Sequence, residues 1–372
     1  MTTQGVGIVA IQYFHSTTPL PLASGECLPE FTVAYETYGI LNAAGDNAIL
    51  LLHALSGDAH AAGLHHPDDR KPGWWDAMVG PGRSFDTDRF FVICSNVIGG
   101  CAGSTGPTSR NPQRQQRWAS DFPVITIADM VNAQVQLIDY LGIAQLHAVA
   151  GGSMGGFQAI EWMAHHAERV ATAVLFATSA SSQAQAIAWN VIGRQAIMRD
   201  TKWLNGCYDP NEPPSDGLAV ARMIGHITYL SEQSLQHRFD QRYKQGSEPR
   251  HTLAEEFTIE SYLGHQAMRF NERFDANSYL YITKAMDYWD VAAGYSSLAQ
   301  ALACWQKPTL VLSFDSDWLY PTAESQIIVT ALHHNGAEVT FHELSSPAGH
   351  DAFLIESDLL NPIVNRFLMK NR

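Results

Sequence analysis

The feature that most constrains the fold of this chain is a glycine-rich turn around Ser153. The segment reads LHAVAGGSMGGFQAIEWMAHH, in which an apolar run leads into Gly151-Gly152-Ser153-Met154-Gly155 and then into a helical pattern. Glycines on both sides let a serine occupy a sharp strand-to-helix turn, because no neighbouring Cβ atoms crowd it. The helix dipole and the N–H of Met154 can then stabilise an oxyanion beside the serine. We therefore predict that Ser153 is a nucleophile; the alternative is a plain glycine-rich turn.

Short apolar and β-branched runs predict a sheet built from both ends of the chain. Predicted strands fall at 8–13, 31–38, 48–53, 90–96, 146–150, 171–177, 309–314 and 339–344. Helical patterns such as 126–141 separate several of them, so we expect a mostly parallel sheet with helices on both faces and an antiparallel start. Residues 179–295 change to helix-like segments rich in Gln, Arg, Tyr and Met. We predict an α/β core of residues 1–178 and 296–372 with an inserted helical lid of residues 179–295.

Two late strands supply candidates for the groups that activate a serine. In an α/β-hydrolase the serine is followed by an acid and then by a histidine, each after a late strand. Asp315 and Asp317 both follow the strand TLVLSF, and His350 lies in the loop after VTFHEL. We predict that His350 is the general base and that one of the two aspartates orients it. The second oxyanion donor is expected in the loop after the early strand AILLL, and we predict that it is the N–H of Leu55.

Composition and charge exclude several classes of function. Lys and Arg number 23 against 37 Asp and Glu, a net charge of −14, which argues against nucleic acid and anionic membranes as partners. The five cysteines are spread out without a CxxC pair, and no segment has the pattern of a signal peptide or membrane span. We expect a cytoplasmic protein that acts on small molecules.

Histidines at 60, 65 and 66 are the one cluster that suggests a metal. They lack a helical HExxH arrangement and a carboxylate at ligand spacing in the sequence. We therefore predict that no metal is bound and that these are loop residues at the mouth of the site.

Several longer segments together resemble the homoserine O-acetyltransferases, from about residue 31 to 370. They are HALSGDAHAAG, PGWWDAMVGPGRSFDTDRFFVICSNVIGGCAGSTGPTS, DFPVITIADMVNAQ, GGSMGGFQAIEW, GLAVARMIGHITYLS, RFDANSYLYITKAMDYWD, DSDWLYP and SPAGHDAFLIE. The resemblance implies the α/β-hydrolase fold and transfer of an acetyl group from acetyl-CoA, through Ser153, to the side-chain hydroxyl of homoserine in methionine biosynthesis. It favours Asp317 over Asp315 as the acid beside His350.

The same resemblance implies two residues that bind the amino acid, Arg222 in GLAVAR and Asp351 after the histidine. It also implies a homodimer formed through the lid helices and no permanently bound cofactor. A cation for the carboxylate and an anion for the ammonium suit a zwitterionic substrate. Arg222 as an ordinary surface residue is the alternative.

Departures from the family pattern bear on specificity. Relatives that use succinyl-CoA tend to carry Arg where this chain has Leu319, so acetyl-CoA is the better match. Phe157 stands where the family usually has Met, and Gly193-Arg194 where it usually has an Arg pair. Serine in place of homoserine differs by one methylene and stays open. Hydrolysis of an ester or thioester also stays open, because a Ser, His and Asp set does not itself select between water and an alcohol.

Overall fold

The computed structural model describes residues 5–240, 242–244 and 249–372, and its centre is an eight-stranded sheet in the order β1-β4-β6-β5-β7-β8-β9-β10. A separate two-stranded sheet pairs β2 with β3. The strands are β1 Gln12–Ser16, β2 Leu20–Pro21, β3 Cys27–Leu28, β4 Phe31–Tyr38, β5 Ala48–Leu52, β6 Phe91–Ser95, β7 Leu146–Gly152, β8 Val170–Phe176, β9 Thr309–Phe314 and β10 Val339–Leu344.

The sheet is antiparallel at one edge and parallel elsewhere. β1 pairs with β4, and β4 with β6, in antiparallel register, whereas β6, β5, β7, β8, β9 and β10 pair in parallel. This arrangement confirms the predicted fold class. No helix connects β1 to β4, and strands that are joined without a crossover helix commonly pair antiparallel.

Helices follow the parallel strands and fill the segment before β9. They are α1 Ile127–Tyr140, α2 Met154–His165, α3 Ala184–Arg199, α4 Ser215–Tyr229, α5 Glu232–Phe239, α6 Thr258–Asn271, α7 Ala276–Asp287, α8 Leu298–Ala301, α9 Thr322–His334, α10 Ala352–Ile355 and α11 Ser357–Lys370. No strand of the eight-stranded sheet lies between 179 and 295 in the described part of the chain. Helices α3, α4 and α7 of that segment line the same cavity as Ser153, so they lie over the end of the sheet that carries it.

Both faces of the sheet are buried, which explains why β5 reads as an unbroken apolar run. Leu50 and Leu52 pack with α1, α2 and α9, whereas Ile49 and Leu51 pack with α11 and with the segment around Trp75. Alternate residues of a strand point to opposite faces, so a strand covered on both sides needs apolar residues throughout. A rigid central strand of this kind fixes the loop that follows it.

The predicted strand at 8–13 is wrong in its position. β1 begins at Gln12, and Ile8 instead forms an isolated bridge to Leu64 and is exposed. The backbone N–H of Val9 donates to Leu64, and that of Leu64 donates to Gly7. The backbone of this run is extended, as predicted, but its first half pairs with the loop around Leu64 rather than with the sheet. Within the described ranges, no helix is both long and apolar enough to cross a membrane.

Candidate active site

Ser153 lies on a sharp turn between β7 and α2, in a backbone conformation that side chains rarely adopt. Its φ is +56° and its ψ is −125°. The glycines around it are required by close approaches, since a Cβ on Gly155 would collide with the carbonyl oxygen of Leu52 and a Cβ on Gly151 with Gly155 itself. Strain of this kind costs about 1–3 kcal/mol and persists only where the surroundings hold it in place.

Hydrogen bonds from β8 and the loop after it hold the strained residue. The N–H of Ser153 donates to the carbonyl of Phe176 (3.1 Å), and the hydroxyl of Thr178 donates to the carbonyl of Ser153 (2.9 Å). The side chain is only 6% exposed. The turn predicted from the glycines therefore holds Ser153 at a buried position through its backbone.

His350 and Asp317 meet at the ends of the last two strands. The imidazole Nδ1 donates to Asp317 Oδ2 (2.8 Å), while Asp317 Oδ1 accepts the N–H groups of Leu319 (3.0 Å) and Tyr320 (2.9 Å). Asp315 is exposed and accepts only the N–H of Ser346 among the described hydrogen bonds. Geometry thus places Asp317, rather than Asp315, beside the histidine.

The surroundings favour the protonated form of His350. Burial alone would lower its pKa, but the charge of Asp317, its hydrogen bond and the nearby Asp351 raise the pKa above its ordinary value. Ser153 and His350 line the same cavity of about 120 Å³. The structure shows no hydrogen bond between them, and such bonds are often loose before substrate binds.

Of the two predicted oxyanion donors, one lines this cavity and the other directly follows Ser153. Leu55 contributes to its lining, and Met154 is the first residue of α2, directly after Ser153. For neither backbone N–H do the described hydrogen bonds include a protein acceptor. Two N–H groups without acceptors beside a serine hydroxyl are the arrangement that could stabilise an oxyanion if that serine attacks a carbonyl.

A buried amide that the sequence analysis did not identify ties the two donors together. The side-chain NH₂ of Gln158 donates to the carbonyls of His53 (3.2 Å) and Met154 (3.3 Å), so it bridges the loop of Leu55 to the first turn of α2. Gln134 donates to Gln158 (2.7 Å) and accepts from Trp162 (2.9 Å). The only signal in the sequence is a glutamine four residues after Met154, on an otherwise apolar helix face.

Arg222 of α4 and Asp351 line the same cavity as Ser153 and His350. Within the described ranges, no hydrogen bond or ion pair of the protein involves either side chain, and Arg222 Nε is buried without a partner. The guanidinium lies 4.7 Å from the ring centre of Phe270. Burial raises the pKa of Asp351, although His350 and Arg222 counteract this. A cation and an anion thus face the cavity unpaired.

Comparisons with known proteins agree with this geometry. The family model described as alpha/beta hydrolase fold matches residues 47–357. A homoserine O-acetyltransferase of Methanohalobium evestigatum is 51% identical over 99% of this chain and 75% of its own length. One of Zymomonas mobilis is 52% identical over 96% of this chain and 97% of its own length.

Two solved structures are similar over nearly the whole chain. A homoserine O-acetyltransferase from Bacillus anthracis has a TM-score of 0.91 at 31% identity, covering 97% of this chain and 98% of its own. This chain belongs to the homoserine O-acetyltransferase family. The same fold also carries other chemistry, since the structure of esterase E22 has a TM-score of 0.89 at 30% identity, covering 97% of this chain and 100% of its own.

The departures from the homoserine O-acetyltransferase pattern are packed into the structure. Phe157 stacks on Trp289 with ring centres 5.3 Å apart. Arg194 forms an ion pair with Asp287, and Gly193 lies where a Cβ would approach the hydroxyl of Tyr279 to 2.8 Å. These residues therefore support the walls of the site from behind rather than entering it.

The expectation that the loop histidines have no carboxylate partner is wrong. Glu36 of β4 accepts from both His60 and His65, whereas His66 is exposed and lies 3.4 Å from Asp68. Glu36 is distant in the sequence, and pairing of β4 with β6 brings it beside the loop that follows β5. Ligand spacing within one segment does not detect such a contact.

Proposed function

We propose that this enzyme transfers the acetyl group of acetyl-CoA to the side-chain hydroxyl of L-homoserine through an acyl-enzyme on Ser153. The observation that carries the proposal is the pair of unpartnered charges, Arg222 and Asp351, in the cavity that Ser153 and His350 line. An amino acid is the small molecule that offers both a carboxylate and an ammonium group. Leaving either charge unpaired in a closed site is costly, so such a site selects a zwitterion.

In the first half-reaction Ser153 attacks the thioester carbonyl. Nε2 of His350 takes the hydroxyl proton, and the hydrogen bond to Asp317 stabilises the imidazolium that forms. The N–H groups of Leu55 and Met154 stabilise the oxyanion of the tetrahedral intermediate. Its collapse breaks the carbon–sulfur bond, the CoA thiolate takes the proton from His350, and the acetyl group remains on Ser153 as an ester.

In the second half-reaction the acceptor takes the place of CoA. Arg222 binds the carboxylate of homoserine and Asp351 its ammonium group, which aims the side-chain hydroxyl at the acyl-enzyme. His350 removes the proton of that hydroxyl and returns it to Ser153 as the second tetrahedral intermediate collapses. The lid helices must exclude water at this stage, because a water molecule would hydrolyse the ester.

The residue at position 319 favours acetyl over succinyl. Leu319 lines the cavity, and an apolar side chain leaves the second carboxylate of a succinyl group unpaired, at a cost of about 1–3 kcal/mol. The acceptor is less sharply selected, since serine lacks one methylene, worth about 1–3 kcal/mol in a pocket.

Ester or thioester hydrolysis is the second candidate, and the similarity to esterase E22 favours it. Hydrolysis uses the same nucleophile, base and oxyanion donors. It gives no role to Arg222 and Asp351, which is why we prefer the transferase.

Release of free CoA from acetyl-CoA, followed by thiol titration, tests the choice between these functions. We expect release that depends on homoserine and that disappears in Ser153→Ala. Faster release with serine than with homoserine would make the enzyme a serine acetyltransferase of cysteine synthesis. Release at the same rate without any acceptor would make water the nucleophile and contradict the transferase.

The proposed assembly is a homodimer through the lid helices, in a cytoplasmic enzyme without a permanently bound cofactor. Apolar side chains of α4, α5 and α6, including Ile227, Leu235 and Ile259, line an open groove on the lid. Analytical ultracentrifugation tests the dimer, and charged substitution of Ile227, which is exposed, should shift it toward monomer.

A further inference from the structure

Outside the active site, one carboxylate and two imidazoles converge at the junction of β4 with the loop that follows β5. Glu36 Oε1 accepts from His65 Nε2 (2.6 Å), and Glu36 Oε2 accepts from His60 Nδ1 (3.0 Å). One potential ligand atom from each of the three side chains lies within 4.8 Å of the other two. The two ring centres are 3.9 Å apart, so both imidazoles face the same carboxylate.

Glu36 is an unusual carboxylate because its side chain has no exposed surface. Its partners are the two imidazoles and the hydroxyl of Tyr38 (2.8 Å), and the described residues include no Lys or Arg paired with it. Burial alone would raise the pKa of Glu36, but the hydrogen bonds from His60, His65 and Tyr38 lower it below the ordinary value. The carboxylate is therefore buried among one hydroxyl and two imidazoles, with no permanently charged side chain beside it among the described residues.

The donor set and its openness match a particular class of cation. Two imidazoles and one carboxylate suit Zn²⁺ and similar transition ions, whereas Mg²⁺ and Ca²⁺ take oxygen ligands. A tetrahedral ion with bonds of about 2.1 Å separates its ligand atoms by about 3.4 Å. The two N···O distances of 2.6 and 3.0 Å are shorter, so the imidazoles must move slightly away from the carboxylate to admit an ion, and all three ligand atoms now lie within 4.8 Å of one another. His65 has 46% of its side chain exposed, which leaves room for a water molecule as fourth ligand.

We propose that Glu36, His60 and His65 form a binding site for one divalent transition ion of the Zn²⁺ type. On binding, each imidazole turns the nitrogen that now donates to Glu36 toward the ion and carries its proton on the other ring nitrogen. The carboxylate oxygens bind the ion in place of the two N–H groups.

The site has a structural role rather than a catalytic one. Tyr38, two residues after Glu36, accepts the N–H of Ala61 (2.8 Å) through its hydroxyl, so β4 already holds the loop between His60 and His65. An ion at this point crosslinks β4 to the loop that follows β5, which also carries Leu55. His60 also borders a second cavity, adjoining the active site through Arg222 and Ser56, yet no step of acyl transfer requires the ion.

Metal titration of the tag-free protein, stripped with a chelator, tests the site directly. We expect one saturable equivalent of Zn²⁺ by calorimetry, one of Co²⁺ by its visible absorption spectrum, and a rise in Tm with added Zn²⁺. His65→Ala should weaken this binding at least tenfold and remove the rise in Tm. His65 is half exposed, so the variant should fold, whereas Glu36→Gln serves as a second test because it keeps the volume and removes the charge.

His66→Ala is the matched control, since His66 is a neighbouring loop histidine outside the cluster. This variant should still bind one equivalent of Zn²⁺ and should still show the rise in Tm. The proposal is overturned if the wild type shows no saturable equivalent, or if His65→Ala and His66→Ala bind it equally well. In that case the three side chains are a hydrogen-bonded cluster that fixes the loop without a metal. Neither result depends on the acyl-transfer activity.

Discussion

The two sides of the active-site cavity are built differently. On the side of the sheet, Ser153, Asp317 and the His350 ring nitrogen that faces Asp317 are held by hydrogen bonds from strands and strand ends. On the side of the lid, Arg222 of α4 has no polar partner among the described residues, and neither has Asp351, which lies in the core directly after His350. The groups proposed to perform the chemistry are thus held by protein hydrogen bonds, whereas the groups proposed to bind the substrate have no polar protein partner among the described residues.

This difference follows from what each side must do. A nucleophile and base work only within a narrow geometry, and hydrogen bonds from rigid strands maintain it. A charged recognition group that already had a protein partner would gain little from a substrate. Substitution of Asp317 on the sheet side should therefore lower kcat, whereas substitution of Arg222 on the lid side should raise the KM of the acceptor.

The largest effect is expected for Asp317→Asn. The amide cannot accept the proton of His350 Nδ1 as a carboxylate does, so the ring loses its orientation and its stabilised charge, and kcat should fall about 10³–10⁴-fold. Steady-state kinetics measure this. Asp315→Asn, two residues away and exposed, is the control and should stay within about twofold of wild type. Equal losses in the two variants would contradict the assignment.

The next effect is expected for Arg222→Ala. Loss of a hydrogen bond to a charged group should raise the KM for homoserine about 10–100-fold, while the burst of CoA released by acylation of Ser153 stays nearly unchanged. Rapid mixing separates the two half-reactions. The exposed Arg238→Ala serves as control. A lost burst with an unchanged acceptor KM would place Arg222 on the donor side instead.

A smaller effect is expected on the choice between acetyl-CoA and succinyl-CoA as acyl donor. Leu319→Arg supplies a cation for the second carboxylate of a succinyl group, and we expect the ratio of kcat/KM for succinyl-CoA over acetyl-CoA to rise about tenfold. Leu319→Met keeps the volume without the charge. If both variants change the ratio equally, space rather than charge controls the donor.

The smallest effect concerns pH. His350 must be neutral to accept a proton, and Asp317 raises its pKa above the ordinary value of about 6.5. The acidic limb of kcat/KM should therefore lie above pH 6.5 in the wild type and move to lower pH in Asp317→Asn, measured on its residual activity. A limb that does not move would assign the titration to another group.

Local signals in the sequence predicted the parts of the molecule that local chemistry determines. The glycines around Ser153 gave the turn because backbone crowding acts between near neighbours, and unbroken apolar runs gave the central strands. Contacts between distant segments could not be predicted from the sequence pattern. That pattern left Asp315 and Asp317 equivalent as the acid, because the choice depends on which of the two side chains faces His350. Likewise, the bridge from Gln158 to His53 and the contact of Glu36 with His60 arise only when the sheet assembles.

The proposed reaction depends on an acetyl group that Ser153 carries as an ester and passes to an amino-acid hydroxyl. Mass spectrometry of the intact protein, quenched after mixing with acetyl-CoA alone, measures this directly, with peptide mapping to locate the adduct. We expect a mass increase of one acetyl group on the peptide of Ser153, absent in Ser153→Ala and discharged faster by homoserine than by buffer. An adduct that buffer discharges as fast as homoserine does, or no adduct at all in a protein that still forms product, would contradict it.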